Sequence, residues 1–506
     1  MSHPLLMSSK FSRRAWLRGS VAVAAASFAA PKRSEAGEAV ASSGEKIILS
    51  DKAIADLAKS LTGDIVLPSS AIYDDVRKTW NPAIDKYPAL IVRCATVSDI
   101  QAAVQFGRTH NILTAVRCGG HGYDGSGMAH GGMTIDVGRL ETAEIDVQRK
   151  IAKLGGGAKL GTLDRASCPH NLGTTAGVVS HTGVGGLATG QGQGRLGRMF
   201  GYTVDNFLGV EVVLPDGRLV RANDQENSDL FWAVRGGGGN FGIVTQFEFR
   251  LHEFDPKTIT SFSFSYPMAK AKDALKLAFD MGPSMPLQMT LGCGLRTSDD
   301  GRVSPGVSGT YIGPASEAEK LLAPLKALGE PTRKRFDTLD YVTLQASGDG
   351  KHEPGRQPVS ERSIYNRGGF FDQVDGKLVD TFVEYVSKST MPGADARFSQ
   401  LGGAANKVDP DAMAFCHRNI RYGFTVDVEW HDPKDAAAQK KYAHDLWAEL
   451  FPASNGAFYI NQAIERTPEE LVRTFGKAHP RLVEIKTKYD PTNFFRINPN
   501  IKPKRA

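Results

Sequence analysis

Apolar positions along this chain follow one spacing up to about residue 255 and another beyond it. In the first stretch they form short runs, 89–93, 112–116, 133–137, 151–154 and 209–214, which read as strands. Pro215-Asp216-Gly217 turns the last of these into 218–222 as a hairpin. Between the first two runs, Ser98 stands where a cap is wanted for a helix over 99–110, with Ile100, Ala103 and Val104 inward. Shorter helices are predicted over 50–61 and 227–235. Residues 242–251 alternate, with Phe247, Phe249 and Leu251 on one face and Gln246, Glu248 and Arg250 on the other. Beyond 255 the spacing becomes that of amphipathic helices, at 269–281, 316–328, 377–389 and 433–450, with strands such as 421–430 between them. That pattern predicts an antiparallel sheet backed by helices within an α+β fold. Thr467-Pro468-Glu469-Glu470 is a capping box that opens the tail. The expected divisions are 50–255, 256–460 and a tail over 461–506.

Charge changes little in this picture. The formal net charge is +6, but residues 1–36 hold six basic side chains (Lys10, Arg13, Arg14, Arg18, Lys32, Arg33) against Glu35 alone. The rest is nearly neutral, with no strongly basic balance to attract the phosphate backbone of a nucleic acid. Ser12-Arg13-Arg14-Ala15-Trp16-Leu17 followed by an Ala-rich apolar run reads as a twin-arginine export signal, with cleavage expected within 29–41. The expectation is export through the twin-arginine machinery to the periplasm or beyond. No other run reaches the ~20 apolar residues a membrane span needs. The five cysteines, Cys94, Cys118, Cys168, Cys293 and Cys416, are scattered without a CxxC, which argues against a metal cluster or a disulfide scaffold.

Two glycine-rich stretches carry the candidate chemistry. The first, AVRCGGHGYDGSG over 115–127, holds His121 between glycines directly after a predicted strand, at the strand end where open α/β sheets bind ligands. Glycine there permits positive-φ turns and close approach to a ligand, although the loop alone reads equally as a tight turn. The second, GVVSHTGVGGLATGQGQGRLGRMFG over 177–201, has nine glycines, too many for the interior of a helix or strand. Its N–H groups are free to cradle a phosphate or line a ring. It lacks the βαβ frame and the acidic residue of a Rossmann fingerprint.

These stretches, with Asp205-Asn206, DLFWAVRGGGGNFGIVT over 229–245 and YDPTNFFRINPNI over 489–501, stand in the order seen in the berberine-bridge-like FAD-linked oxidases of the vanillyl-alcohol-oxidase superfamily. The resemblance spans about 85–503. It implies a two-lobed fold, a PCMH-type FAD-binding domain over 50–255 completed by the tail, with a substrate domain over 256–460 between them. It implies FAD bonded through its 8α-methyl group to His121. Arg117, Cys118, Gly119, Gly120, Gly122, Thr182, Gly183, Gly186, Gly190, Gly242, Ile243, Val244 and Asn498 are then implied to surround the cofactor. Many members carry a second attachment point, a cysteine, where this chain has Val179, so the implied attachment is monocovalent.

Tyr459-Ile460-Asn461 resembles the Tyr-x-Asn that supplies the family's catalytic tyrosine. Strand alternation would put Tyr459 and Asn461 on one face. A phenol of ordinary pKa is a poor base unless a cation or hydrogen-bond donors favour phenolate, and Arg418 and Arg421 are the candidate cations. Gln400, Arg418 and Asn461 are implied to line the substrate pocket, while His417 reads as structural. The expected activity is that of an FAD-dependent oxidase. It removes a hydride from a C–OH or C–NH carbon of a sugar, alcohol or amine and passes the electrons to dioxygen. A dehydrogenase using another acceptor stays open, as does a flavin carrier without turnover, against which Tyr459 argues. No metal is expected.

Overall fold

The computed structural model describes residues 37–350, 357–462 and 464–504, so the leader expected over residues 1–36 lies outside the described residues. Three larger sheets carry the architecture. The first has four strands, β1 (Asp64–Val66), β2 (Leu90–Arg93), β3 (Thr114–Arg117) and β4 (Met133–Asp136), in the order β1-β2-β4-β3. β2 and β3 both pair with β4 in parallel. A parallel pair needs a crossover, and helix α1 (Val97–Thr109) makes it between β2 and β3. Its cap is Thr96 rather than the expected Ser98. Thr96 accepts the Asp99 N–H and Asp99 answers to the Thr96 N–H, a reciprocal box that starts the helix two residues early.

The second sheet is antiparallel, β5 (Ala143–Asp146), β6 (Ile151–Gly155), β7 (Phe207–Val213), β8 (Leu219–Ala222) and β9 (Ile243–Arg250), ordered β8-β7-β9-β6-β5. β7 and β8 are the expected hairpin across 215–217. The third sheet is also antiparallel: β10 (Ile259–Ser265), β11 (Met289–Thr297), β12 (Val303–Ile312), β13 (Arg333–Leu339), β14 (Ser363–Phe371), β15 (Ala394–Gln400) and β16 (Tyr422–Trp430). Its order is β13-β10-β12-β11-β15-β16-β14. Strands of such a sheet alternate between two faces. One face, with Phe398, Phe424, Val426 and Val428, packs on the helices Ala271–Met281, Gly376–Lys388 and Ala436–Leu450. The other face carries Asn366, Gly368, Arg397, Gly423, Thr425 and Asp427. The helix expected over 316–328 is shorter, Ala315–Leu321 continued as a 3₁₀ turn over Ala323–Leu328, because Pro324 cannot extend it.

The tail closes on the first two sheets. Helices Pro468–Phe475 and His479–Tyr489 add Phe475, Leu482 and Ile485 to the core under the five-stranded sheet, and Phe494 and Phe495 fill the core under the four-stranded one. Lys486 anchors the turn at the end of this tail. Fully buried, it donates to Asp490 and to the carbonyls of Asn240 and Phe495. Asp490 in turn accepts the N–H groups of Phe494 and Phe495.

Candidate active site

Strand β3 ends at Arg117, whose guanidinium pairs with Asp136 and reaches the Val76 carbonyl, fixing the root of the histidine loop. The loop then meets the second glycine run backbone to backbone. A Cβ on Gly119 would lie 2.3 Å from the Gly183 nitrogen, and one on Gly183 would lie 2.4 Å from the Cys118 sulfur. Gly120 takes a φ of +67, open to glycine without strain. This crossing brings His121 to His181, with Nε2 of the first 2.5 Å from Nδ1 of the second. Trp80 stacks on the His121 ring at 5.1 Å between centroids. Nε2 of His181 lies 3.1 Å from the carbonyl oxygen of Asp349, whose side chain accepts the Ser180 N–H. Burial, then the nearness of His181 and Lys159, pushes the His121 pKa down to about 3, so its imidazole is neutral and nucleophilic. The same burial raises the Cys118 thiol and leaves it unreactive.

The second glycine run is not wholly a loop, as its composition predicted. Val184–Gly190 is a helix. Gly185 sits there because a Cβ would come within 3.0 Å of the Gly156 carbonyl, so close backbone packing overrides weak helix propensity. At Gly186 and Gly239 an added Cβ would meet no atom within 4 Å. Asn498 donates to the carbonyls of Gly239 and Phe495, and its own oxygen is buried without a partner among the described residues, as is that of Asn500. Bare backbone facing open space, amide oxygens awaiting a donor and a neutral imidazole suit a bound FAD. When bound, FAD supplies an acceptor for two electrons. Gly242 packs tightly on Val212, and the Ile243 and Val244 side chains are buried in the cores, so these three meet a ligand only through backbone. The carbonyl of Thr182 accepts the Leu160 N–H, and Gly122 makes ordinary contacts with Asp124 and Ser126.

At the far end of Val184–Gly190, about 10 Å away at 1.5 Å per residue, the same run meets the tail. Asn461 packs so closely on Gly190 that a Cβ there would fall 1.9 Å from its side-chain oxygen. Its amide donates to the Leu187 carbonyl at 2.8 Å and to the Tyr459 hydroxyl at 2.9 Å, and the Gln193 N–H donates to that hydroxyl at 3.2 Å. Tyr459 and Asn461 therefore do meet, but through a 3₁₀ turn over Ile460–Gln462 and not through the expected strand alternation. Burial raises the Tyr459 pKa, and the Gln193 and Asn461 donors pull it back. A phenol oxygen accepts at most two such bonds, so its own proton is left for a third group. Tyr459 borders a cavity shared with Gln193, Gln462, Arg466 and the open sheet face at Asn366, Gly368 and Thr425. Below Asn366, the buried carboxylate of Asp427 accepts from Asn366 at 2.5 Å and from Arg397 at 2.9 Å. Asp427 also acts, with burial, to raise the pKa of Tyr123, two residues beyond His121.

A family model described as FAD binding domain matches residues 88–223, and one described as berberine and berberine-like matches 458–502. An FAD-linked oxidoreductase of Dictyostelium discoideum is 30% identical over 451 residues, 88% of this chain and 96% of that one. The chain belongs to the berberine-like FAD-linked oxidoreductases. The (R)-6-hydroxynicotine oxidase of Paenarthrobacter nicotinovorans is 27% identical, covering 88% of this chain and 97% of that one. A solved chitooligosaccharide oxidase superposes with a TM-score of 0.80 at 26% identity, covering 90% of this chain and all of that one.

None of the three residues expected in the pocket of this berberine-like enzyme borders the Tyr459 cavity; Asn461 reaches it through the Tyr459 hydroxyl, and the other two lie elsewhere. Gln400 shares the helix-facing side of β15 with Phe398; it donates to the Gly282 carbonyl and accepts from Leu291, tying β11 to the turn after a helix. Period two puts it on the wrong face. Arg418 is buried in an ion pair with Asp205 at 2.8 Å and donates to the Ala405 carbonyl. Its charge is neutralised there and does not act on Tyr459; Arg421 is exposed. His417 gives Nε2 to the Thr474 carbonyl, the structural role expected of it. The residues that sequence reasoning missed fall into two sets. Tyr123, His181 and Gln193 stand inside the glycine stretches already singled out. Asn366, Arg397 and Asp427 carry no motif, and only strand register brings them together.

Proposed function

We propose that this chain is an exported oxidase whose FAD is bonded once, through His121, and whose substrate loses a proton to Tyr459 while a hydride leaves the adjacent C–OH or C–NH carbon. The observation that carries the reading is the Tyr459 hydroxyl, buried at the cavity with both acceptor positions filled by Gln193 and Asn461. Those donors stabilise phenolate, the form that accepts a proton. Val179 has no thiol to offer, which supports a single attachment. Asn366, Thr425 and Gln462 line the cavity with hydrogen-bonding groups, which suits a polyhydroxylated or amine-bearing small molecule. The relatives named for 6-hydroxynicotine and chitooligosaccharide oxidation span the same two chemistries. The Arg13-Arg14 leader supports export, for which a cofactor that cannot dissociate is an advantage. Dioxygen is the proposed acceptor.

The test is anaerobic mixing of the purified yellow protein with sugars, alcohols and amines. Bleaching by one class followed by oxygen uptake on aeration is expected. Bleaching without oxygen uptake would replace the oxidase by a dehydrogenase, and no bleaching by any class would leave a carrier. Acid precipitation of the protein should leave its flavin in the pellet, and His121→Ala should release it.

A further inference from the structure

We propose that His181 is the positioning residue for covalent attachment of the flavin: it fixes the tautomer of His121 and takes the proton that attachment displaces. This rests on the monocovalent reading above. The Asp349 carbonyl can only accept, so the His181 Nε2 next to it carries a proton and donates. In the neutral ring Nδ1 of His181 is then an acceptor, and its partner 2.5 Å away, Nε2 of His121, must be the donor. That assignment leaves the lone pair of His121 on Nδ1. The contact with the Asp349 carbonyl thus favours, two rings away, Nδ1 of His121 as the nucleophile. Burial keeps His121 neutral, as the geometry requires. Trp80, stacked on the ring, restricts its rotation.

The atoms balance. Attachment forms the bond between Nδ1 and the 8α-carbon and breaks one C–H bond of the methyl group. That proton is released, and the imidazole gives up its Nε2 proton to Nδ1 of His181. The two electrons left over go to dioxygen, which with two protons becomes hydrogen peroxide. A nucleophile whose departing proton already points at a base is the general arrangement for activating a weak one. The contact depends on the crossing of Gly119 and Gly183, where a Cβ on either would force the two loops apart.

The experiment compares wild type, His181→Ala and His181→Gln, each purified with FAD, by flavin fluorescence of the denatured protein and by the rate at which bound FAD becomes attached. His181→Ala should hold FAD without attaching it, with a rate lower by about 10²-fold or more. Added imidazole should restore part of that rate, with a pH dependence that follows the free imidazole. Should the alanine variant load poorly, His181→Gln, which keeps an acceptor but is a far weaker base, is read in the same way. Attachment at the wild-type rate in the loaded variant overturns the role. So does slow attachment that imidazole does not restore, because a merely structural defect would not respond to it. Release of flavin from the denatured wild type would instead overturn the attachment reading itself.

Discussion

His121 and Tyr459 sit at opposite ends of one glycine run, and burial acts on them with opposite consequences. Desolvation disfavours the charged form of any group, so it lowers the imidazole and raises the phenol. Both are thereby neutral at ordinary pH. For His121 the neutral form is the one the proposed attachment needs, and burial, helped by His181 and Lys159, already favours it. For Tyr459 the neutral form is the wrong one for a base, and the fold must add donors to offset what burial does. The chain places two there, the Gln193 N–H and the Asn461 amide, and directs the arginine once expected to help into a pair with Asp205. An enclosed site therefore does not activate its groups uniformly, and the polar neighbours show which group needed help.

The most severe break of this comparison is Tyr459→Phe. Removing a positioned base costs about 10²- to 10⁴-fold in rate. Flavin reduction by substrate, measured anaerobically by stopped flow, should fall by that factor with FAD content unchanged; a rate within twofold of wild type would remove Tyr459 from the chemistry. Arg418→Met is expected to act on the fold and not on the phenol. Breaking a buried pair while leaving Asp205 uncompensated costs about 3–5 kcal/mol, visible as a lower denaturation midpoint. The pH profile of flavin reduction should stay where it was, and a profile displaced toward higher pH would restore Arg418 as the cation that serves Tyr459.

The same contrast separates what the chain's sequence discloses from what it does not. The flavin side is built from local signals: glycines that permit a crossing at 119 and 183, a histidine after a strand, and a tail whose Lys486 and Asp490 clamp it back onto Asn240. Their partners are distant in sequence, 119 from 183 and 486 from 240, but each partner stands in a short motif of its own, so motif and order reveal it. The substrate side is built from register. Asn366 faces Asp427 because β14 and β16 pair at that step, and Gln400 turns away because it lies an even number of residues from Phe398. A shift of one residue would exchange the two faces, and nothing short of the pairing fixes which face is open. The Tyr-x-Asn pair was legible as a pair, but the 3₁₀ turn that joins its side chains depends on Gly190 from another part of the chain.

Asn461→Ala tests the compensation itself. A hydrogen bond to a charged group is worth about 1.5–3 kcal/mol, so losing this donor should raise the Tyr459 pKa by about one to two units. The base form grows tenfold per pH unit below that pKa. At fixed neutral pH, reduction should therefore slow by about 10- to 100-fold, and the whole profile should move to higher pH. A uniform drop with no displacement would mean that Asn461 holds the substrate or the glycine helix and does not tune the phenol.

The smallest effect is expected at the other end. His121 is already neutral at any pH above about 3, so its own ionisation adds no slope to attachment between about pH 5 and 9. Any dependence seen there belongs to groups that receive or supply protons around it. The flavin-reduction profile, read in the same protein over the same range, should still climb, because Tyr459 lies above its ordinary value and its base form is scarce throughout. Two profiles of equal slope would mean that one titration governs both ends, and the opposite action of burial on imidazole and phenol would no longer account for the site.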